Sequence, residues 1–574
     1  LTLDLQHDVA PTYRAPAGRP RLNGWMLITI VVAGLVALPA FVVFTRVFQP
    51  SDGIWQHLMD TVLANYITNT VVLMVGVGLL VSTIGVTTAW LVTMHRFPGS
   101  RFLEWALLLP LAVPAYVMAY IYTDLLEFAG PLQTWLRDIT GIGPREWWFP
   151  EIRSLWGAMW MLGLVLYPYV YLLARAAFLE QSVCVLEIAR TLGRGPWRSF
   201  FGVALPLARP AIVAGMSLAL METIADYGTV QYFGVQTFTT GIFRTWFGLG
   251  SPVAAAQLAT VLLLFVALLV WLERRSRGRA RYYHTTARYR RIEQRRLRGG
   301  AGLLAAAACW MPLLLGFVAP AVALVHLTLT SGDARWDDFL EYMRNSFVLA
   351  GITAAIAVVL ALVLAYGLRL RPSAAGRFAT RTAALGYAVP GTVIAIGVLI
   401  PFAWTDNAID GLMRDLFGIS TGLFLTGTIV VLIFAYLVRF LAVSFNTVEA
   451  SLGKISPSMD AAARTLGHGP RSTLLRVHAP IMRSSLLTAG LLVFVDVMKE
   501  LPATLIIRPF NFDTLAVRVY QLASDERLAE ASTAALTIVL VGILPVVLLS
   551  RAIRHGRPGE RRAEERRGGA ESLR

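Results

Sequence analysis

The sequence predicts an all-α, polytopic membrane protein of about twelve spans, arranged as two parallel six-helix repeats. Three observations predict it: recurring apolar runs of about 20 residues, connecting loops that alternate in charge, and a segment that occurs twice. The segment reads "ARTLGRGP" from Ala189 to Pro196 and "ARTLGHGP" from Ala463 to Pro470. Composition sets the class. Of 574 residues, 56% are hydrophobic and 15% charged, against about 25% charged in soluble domains. In a soluble chain, the net charge of +16 would point to nucleic acid. Here the arginines lie between apolar runs, so membrane topology accounts for them and no nucleic-acid partner is expected.

In chain order, residues 1–24 form a polar, Pro-containing segment. No cleavage site follows the first apolar run, which is therefore expected to stay as a span and not leave as a signal. Spans are expected near 25–47, 66–94, 103–128, 154–179, 208–231 and 253–272, which make up the first repeat, 25–272. A basic linker, 273–300, follows. The second repeat, 301–550, holds spans near 301–328, 346–369, 378–403, 422–446, 484–507 and 529–550, and a basic tail occupies 551–574. The segments "HRFPGSR" (95–101) and "RLRPSAAGR" (369–377), the linker and the tail are basic. Those at 51–60, 331–341 and 404–410 lean acidic. Basic short loops stay cytoplasmic, which places both termini and both copies of the repeated segment inside.

The halves match beyond that segment. Asn69 corresponds to Asn345, Arg101-Phe102 to Arg377-Phe378 and Pro114 to Pro390, each displaced by 276 residues. Ala189 corresponds to Ala463, Pro206 to Pro480 and Arg244 to Arg518, displaced by 274. Each half starts and ends on the same side, so the repeat is parallel, about an axis along the membrane normal. Pro114 and Pro390 are expected to kink the third span of each half.

Several chemistries have no support. The two cysteines form no CxxC pair, the eight histidines form no HExxH, and no GxxxxGK[ST] loop exists. No catalytic residues, resident cofactor or firm metal site are expected, and the chain is not expected to carry its own P-loop ATPase.

The repeated segment is polar where its surroundings are apolar. In "EIARTLGRGPWRSFFGVALP", 187–206, a helix-forming run ends at Gly193 and Pro196 suits the first turn of a new helix. The second copy, 461–480, keeps the 13-residue step from Gly467 to Pro480. A helix, tight turn and short helix exposed on the cytoplasmic side form a knuckle suited to a partner's groove. Two copies facing one way imply two like partners.

The pattern E-A-A, three residues, G, nine residues, I-x-L-P resembles the coupling motif of ABC importer permeases. In this sequence it reads Glu187, Ile188, Ala189, Gly193, Val203, Leu205, Pro206, and Arg190 and Gly195 complete the expected coupling segment. The second copy has Ala463, Arg464, Gly467, Gly469 and Pro480, but Ala461 replaces the Glu and Asp460 lies one residue early. The resemblance implies a fold of the ABC importer permease type and two copies of a separate ATPase that carry ATP and Mg. It further implies a periplasmic solute-binding protein, and a location in the bacterial inner membrane among its lipids. The stretches 225–250 and 499–532 resemble fused ferric-iron permeases. Thiamine, polyamine or phosphonate permeases of the same class are the alternatives, and a gradient-driven secondary transporter is a further one.

Carboxylates within spans are functional candidates. Glu222 and Asp226 fall in the fifth expected span, Asp496 and Glu500 in the eleventh, again 274 residues apart. Their i,i+4 spacing would put each pair on one helix face, and Tyr227 adds a phenolic oxygen. Convergence of the four would make an oxygen-lined path for a hard cation. The competing expectation is structural ion pairing with Lys499, Arg508, Arg244 or Arg518.

Overall fold

The structure, a computed structural model, describes residues 24–142, 146, 148–180, 195–277, 294–331, 336–370 and 373–555. Among these, eleven helices are long and apolar enough to cross a bilayer. A helix pair bent by 92°, Ser100–Ala112 and Ala115–Thr140, brings the number to twelve where the pair is counted as one span. The first half contributes Gly24–Phe48, Leu63–Met94, the bent pair, Leu155–Leu179, Phe200–Ala225 and Pro252–Ser276. The second contributes Gly300–Thr330, Asp337–Leu370, Gly391–Phe417, Ile429–Leu452, Pro470–Met498 and Leu528–Leu548.

The third span of each half is broken, not kinked. Proline has no N–H and forces its predecessor out of the helical region. Val113 and Val389 are accordingly extended, with ψ of 120° and 124°. Each half then has a short lead-in helix, Ser100–Ala106 or Ala374–Ala384, a 3-10 turn, and a fresh helix from Ala115 or Gly391. In the second half that helix runs on to Phe417, so residues 404–410, expected as an outer loop, are helical, and the following span starts only at Ile429. The acidic stretch 331–341 likewise ends inside a helix, Trp336–Leu370.

The fifth and eleventh spans also differ from expectation. Their helices stop at Ala225 and Met498, short of 231 and 507, and hand over to the short helices Gly228–Tyr232 and Pro502–Ile507. Both begin on a π-turn, Phe200–Ala204 and Leu474–His478. Leu205 N–H reaches the Phe200 carbonyl and Ala479 N–H that of Leu474, five residues back. The next residue in each case is a proline, Pro206 or Pro480, which cannot donate, so the ladder widens there.

Packing interleaves the halves. The first span lies against Ala374–Ala384 and Gly391–Phe417 of the other half, and Gly300–Thr330 against the bent third span and Leu155–Glu180 of the first. A methyl group at Gly397 would overlap the Pro39 carbonyl, and one at Gly542 would come within 2.6 Å of the Ala112 oxygen. Backbones approach closely at both places because lipid gives helices little hydrophobic reason to associate and small residues maximise contact. On one side, His95–Arg96 pairs with Arg295–Arg296 as a two-stranded parallel ribbon. The Gln294 amide also donates to the carbonyls of Val92 (3.1 Å) and Thr93 (3.2 Å). The end of the basic linker is thus pinned to the basic loop at 95–101.

Candidate functional site

All five residues expected to line a path, Glu222, Asp226, Tyr227, Asp496 and Glu500, border one cavity of about 110 Å³ between the halves. That is room for a handful of waters. Tyr116, Tyr169, Tyr387 and Phe440 add an aromatic wall, and Arg439 and Lys499 supply positive charge.

The carboxylates divide into two kinds. Asp226 and Glu500 do not share a helix face with Glu222 and Asp496, because both lie just beyond the end of the preceding helix. They cap the next one. The Asp226 carboxylate accepts from the N–H groups of Thr229 and Val230 (both 3.1 Å) and from Thr229 Oγ1 (3.0 Å). Glu500 accepts from the N–H groups of Ala503 (3.0 Å) and Thr504 (3.1 Å) and from Thr504 Oγ1 (2.7 Å). These bonds satisfy donors that a helix start leaves unpaired.

Glu222 and Asp496 remain helical and meet bases. Lys499 Nζ lies 2.9 Å from Asp496. Arg439 lies 3.3 Å from Glu500 and 3.6 Å from Glu222. Both structural pairing and convergence are therefore present in one site. Of the other basic candidates, Arg508 pairs with Asp513 and Arg518 stacks 5.6 Å over the Tyr342 ring. Tyr227 shares its hydroxyl with Tyr520 (3.3 Å), and Tyr169 lies 3.5 Å from Tyr387, each contact joining the two halves. Among the described residues no group of three or more acidic, His or Cys side chains is placed to hold a metal ion. The acids border the cavity without forming a chelate among the described residues.

Arg439 is the cavity-lining charge that reading for carboxylates missed. It is the single charge in the apolar run "IVVLIFAYLVRFLAVSFNTV", 429–448. A lone intramembrane charge is a sufficient signal.

Of the first coupling segment, Glu187, Ala189, Arg190 and Gly193 lie outside the described residues. Gly195 is exposed, and Pro206 opens the fifth-span helix. In the second copy, a helix Pro457–Thr465 is followed by a turn and a short helix, Pro470–Thr473. Gly467, at φ +80°, donates to the Arg464 carbonyl, and His468 N–H reaches that of Ala463. This paired closure at a left-handed residue is the Schellman motif, which favours glycine. Gly469, at φ −72°, carries no such requirement. Asp460, named with the second coupling segment, ties that segment to the bundle. Arg369 Nη2 lies 2.6 Å and a His478 ring nitrogen 3.0 Å from its carboxylate. Arg369 also donates to the Leu452 and Ile455 carbonyls. Ala463 is buried, whereas Met459, Arg464 and Leu466 are exposed. The free face of the knuckle is therefore apolar with a basic edge.

Residues 81–281 match the family described as binding-protein-dependent transport system inner membrane component. The chain is 28% identical over 534 residues to the Fe(3+)-transport system permease protein FbpB 2 of Haemophilus influenzae, covering 92% of this chain and 98% of that one. It is 20% identical to the ferric transport system permease protein FbpB of Actinobacillus pleuropneumoniae, covering 92% and 77%. It is also 30% identical to the molybdenum transport system permease protein ModB of Escherichia coli, over 34% of this chain and 87% of that one.

Proposed function

The chain belongs to the family of binding-protein-dependent transport system inner membrane components, and on that premise we propose that it imports ferric iron as the whole membrane core of an ATP-driven transporter. The observation that carries the reading is the cavity between the halves, where four carboxylates face two bases. A lining with more acids than bases favours a hard cation and disfavours an oxyanion such as molybdate. Similarity to ferric permeases along nearly the full chain points the same way.

In this reading a periplasmic binding protein delivers the cargo at the outer loops. Two copies of an ATPase, carrying ATP and Mg, dock at the knuckles of 187–206 and 461–480. ATP-driven closure of the ATPases alternately opens the bundle to either side, and both termini lie in the cytoplasm. The chain's own residues do no chemistry; they provide the passage and the grip. The grip has support in the second copy, where the Gly467 turn and the Asp460–Arg369 clamp hold an exposed apolar face rigidly to the bundle. A rigid lever transmits a push; a loose loop would absorb it.

The tyrosine-rich wall favours a second reading, a small organic cation such as thiamine, through cation–π attraction. Vesicles containing the permease, its ATPase and its binding protein separate the two. Accumulation of radiolabelled ferric iron that requires ATP supports the first reading. Accumulation of labelled thiamine but not iron replaces it with the second.

A further inference from the structure

The positive charge at the cavity is shared unevenly. Arg439 Nη1 lies 3.3 Å from Glu500 in its own half, and Nη2 lies 3.6 Å from Glu222 in the other. The Glu500 side chain is 2% exposed and is held by three further donors. The Glu222 side chain is 25% exposed, borders the cavity, and makes no further hydrogen bond among the described residues. The guanidinium is therefore fixed to one half and only leans on the other.

We propose that Arg439 is a tethered counter-cation that latches the halves together while the cavity holds no cargo. Its anchor is Glu500 and its releasable partner is Glu222. Removing a buried charge from its only partner is unfavourable, so an arginine that kept no second carboxylate would resist release. Glu500 supplies that second carboxylate, and the Glu222 contact can break without stranding Arg439. Arginine suits the task because its planar fork reaches two carboxylates at once, which a lysine point charge does not. The neighbouring cross-half contacts, Tyr169–Tyr387 and Tyr227–Tyr520, are between neutral hydroxyls. Arg153–Glu526, the other charged cross-half pair among the described residues, is solvent-exposed and lies outside the cavity lining, so the Arg439–Glu222 bridge is the charged contact at the cavity that opening there breaks and that an arriving cation would replace at Glu222. This rests on the reading of the cavity as the transport path.

The test uses the assembled importer in vesicles and reads ATP hydrolysis without binding protein, together with cargo moved per ATP. Glu222→Gln leaves Arg439 its anchor and should raise hydrolysis without binding protein about fivefold or more, the scale of a modest coupling energy, with less cargo moved per ATP. Arg439→Lys should give the same pair of changes. ATPase co-purification and the melting temperature of each variant check assembly. An assembled Glu222→Gln importer with wild-type hydrolysis and coupling overturns the latch, whatever Arg439→Lys does. If the cargo proves not to be a cation, the hydrolysis measurement still reads the latch alone, so failure of the two ideas is distinguishable.

Discussion

Asp226 and Glu500, 274 residues apart, make the same three hydrogen bonds: each caps the short helix that follows its span through two backbone N–H groups and one threonine hydroxyl. The duplicated sequence has kept a duplicated joint. At this joint the spans hand over to the short helices that border the cavity.

Loss of a cap is therefore expected to be felt first as stability. Asp226→Ala should destabilise by about 1–2 kcal/mol, and Asp226→Asn by less, since Asn still accepts. Glu500→Ala should cost more, roughly 3–5 kcal/mol, because it also weakens the pairing of buried Arg439. Thermal unfolding of the purified protein in detergent ranks the three; equal losses for Asp226→Ala and Glu500→Ala would contradict this assignment.

Neutralising the other two acids should act on transport. Asp496 and Lys499 border the cavity and are partly exposed, so losing this pair should cost less than losing the buried Arg439–Glu500 pair. Glu222→Gln with Asp496→Asn is expected to leave protein levels normal and to cut iron uptake roughly tenfold or more, the equivalent of 1.4 kcal/mol. Intact uptake at normal levels would remove these acids from the path.

The second knuckle offers a paired test. Gly467→Ala forces a side chain into the left-handed region at φ +80°, which costs about 1–2 kcal/mol, and should weaken ATPase co-purification. Gly469→Ala, at φ −72°, should be silent in the same assay. Equivalent behaviour of the two would mean that turn geometry does not govern docking.

Close approach of the halves gives another contrast. Gly397→Ala would press a methyl group into the Pro39 backbone and should cost about 1–3 kcal/mol through overpacking. Gly351→Ala meets nothing within 4 Å and should be neutral or stabilising by up to about 1 kcal/mol through helix propensity. Melting temperatures decide between them.

The all-α class, the number of spans to within the treatment of one bent pair, and the residues of the cavity were legible in the sequence, because bilayer thickness and the cost of buried charge act on local sequence. The 274-residue displacement already singled out Glu222, Asp226, Asp496 and Glu500. Their roles were not legible. The i,i+4 spacing assumes an unbroken helix, yet the helices end at Ala225 and Met498, which turns Asp226 and Glu500 into caps. Likewise Pro114 and Pro390 announced a disturbance but not whether the helix would bend or stop. Arg439 was visible as a lone charge, but only packing of Ile429–Leu452 against the eleventh span, facing the fifth across the cavity, brings it between Glu222 and Glu500. Local sequence fixes which groups are costly to bury. Which partner offsets that cost depends on contacts between residues 61 to 217 positions apart, and only the folded bundle sets those.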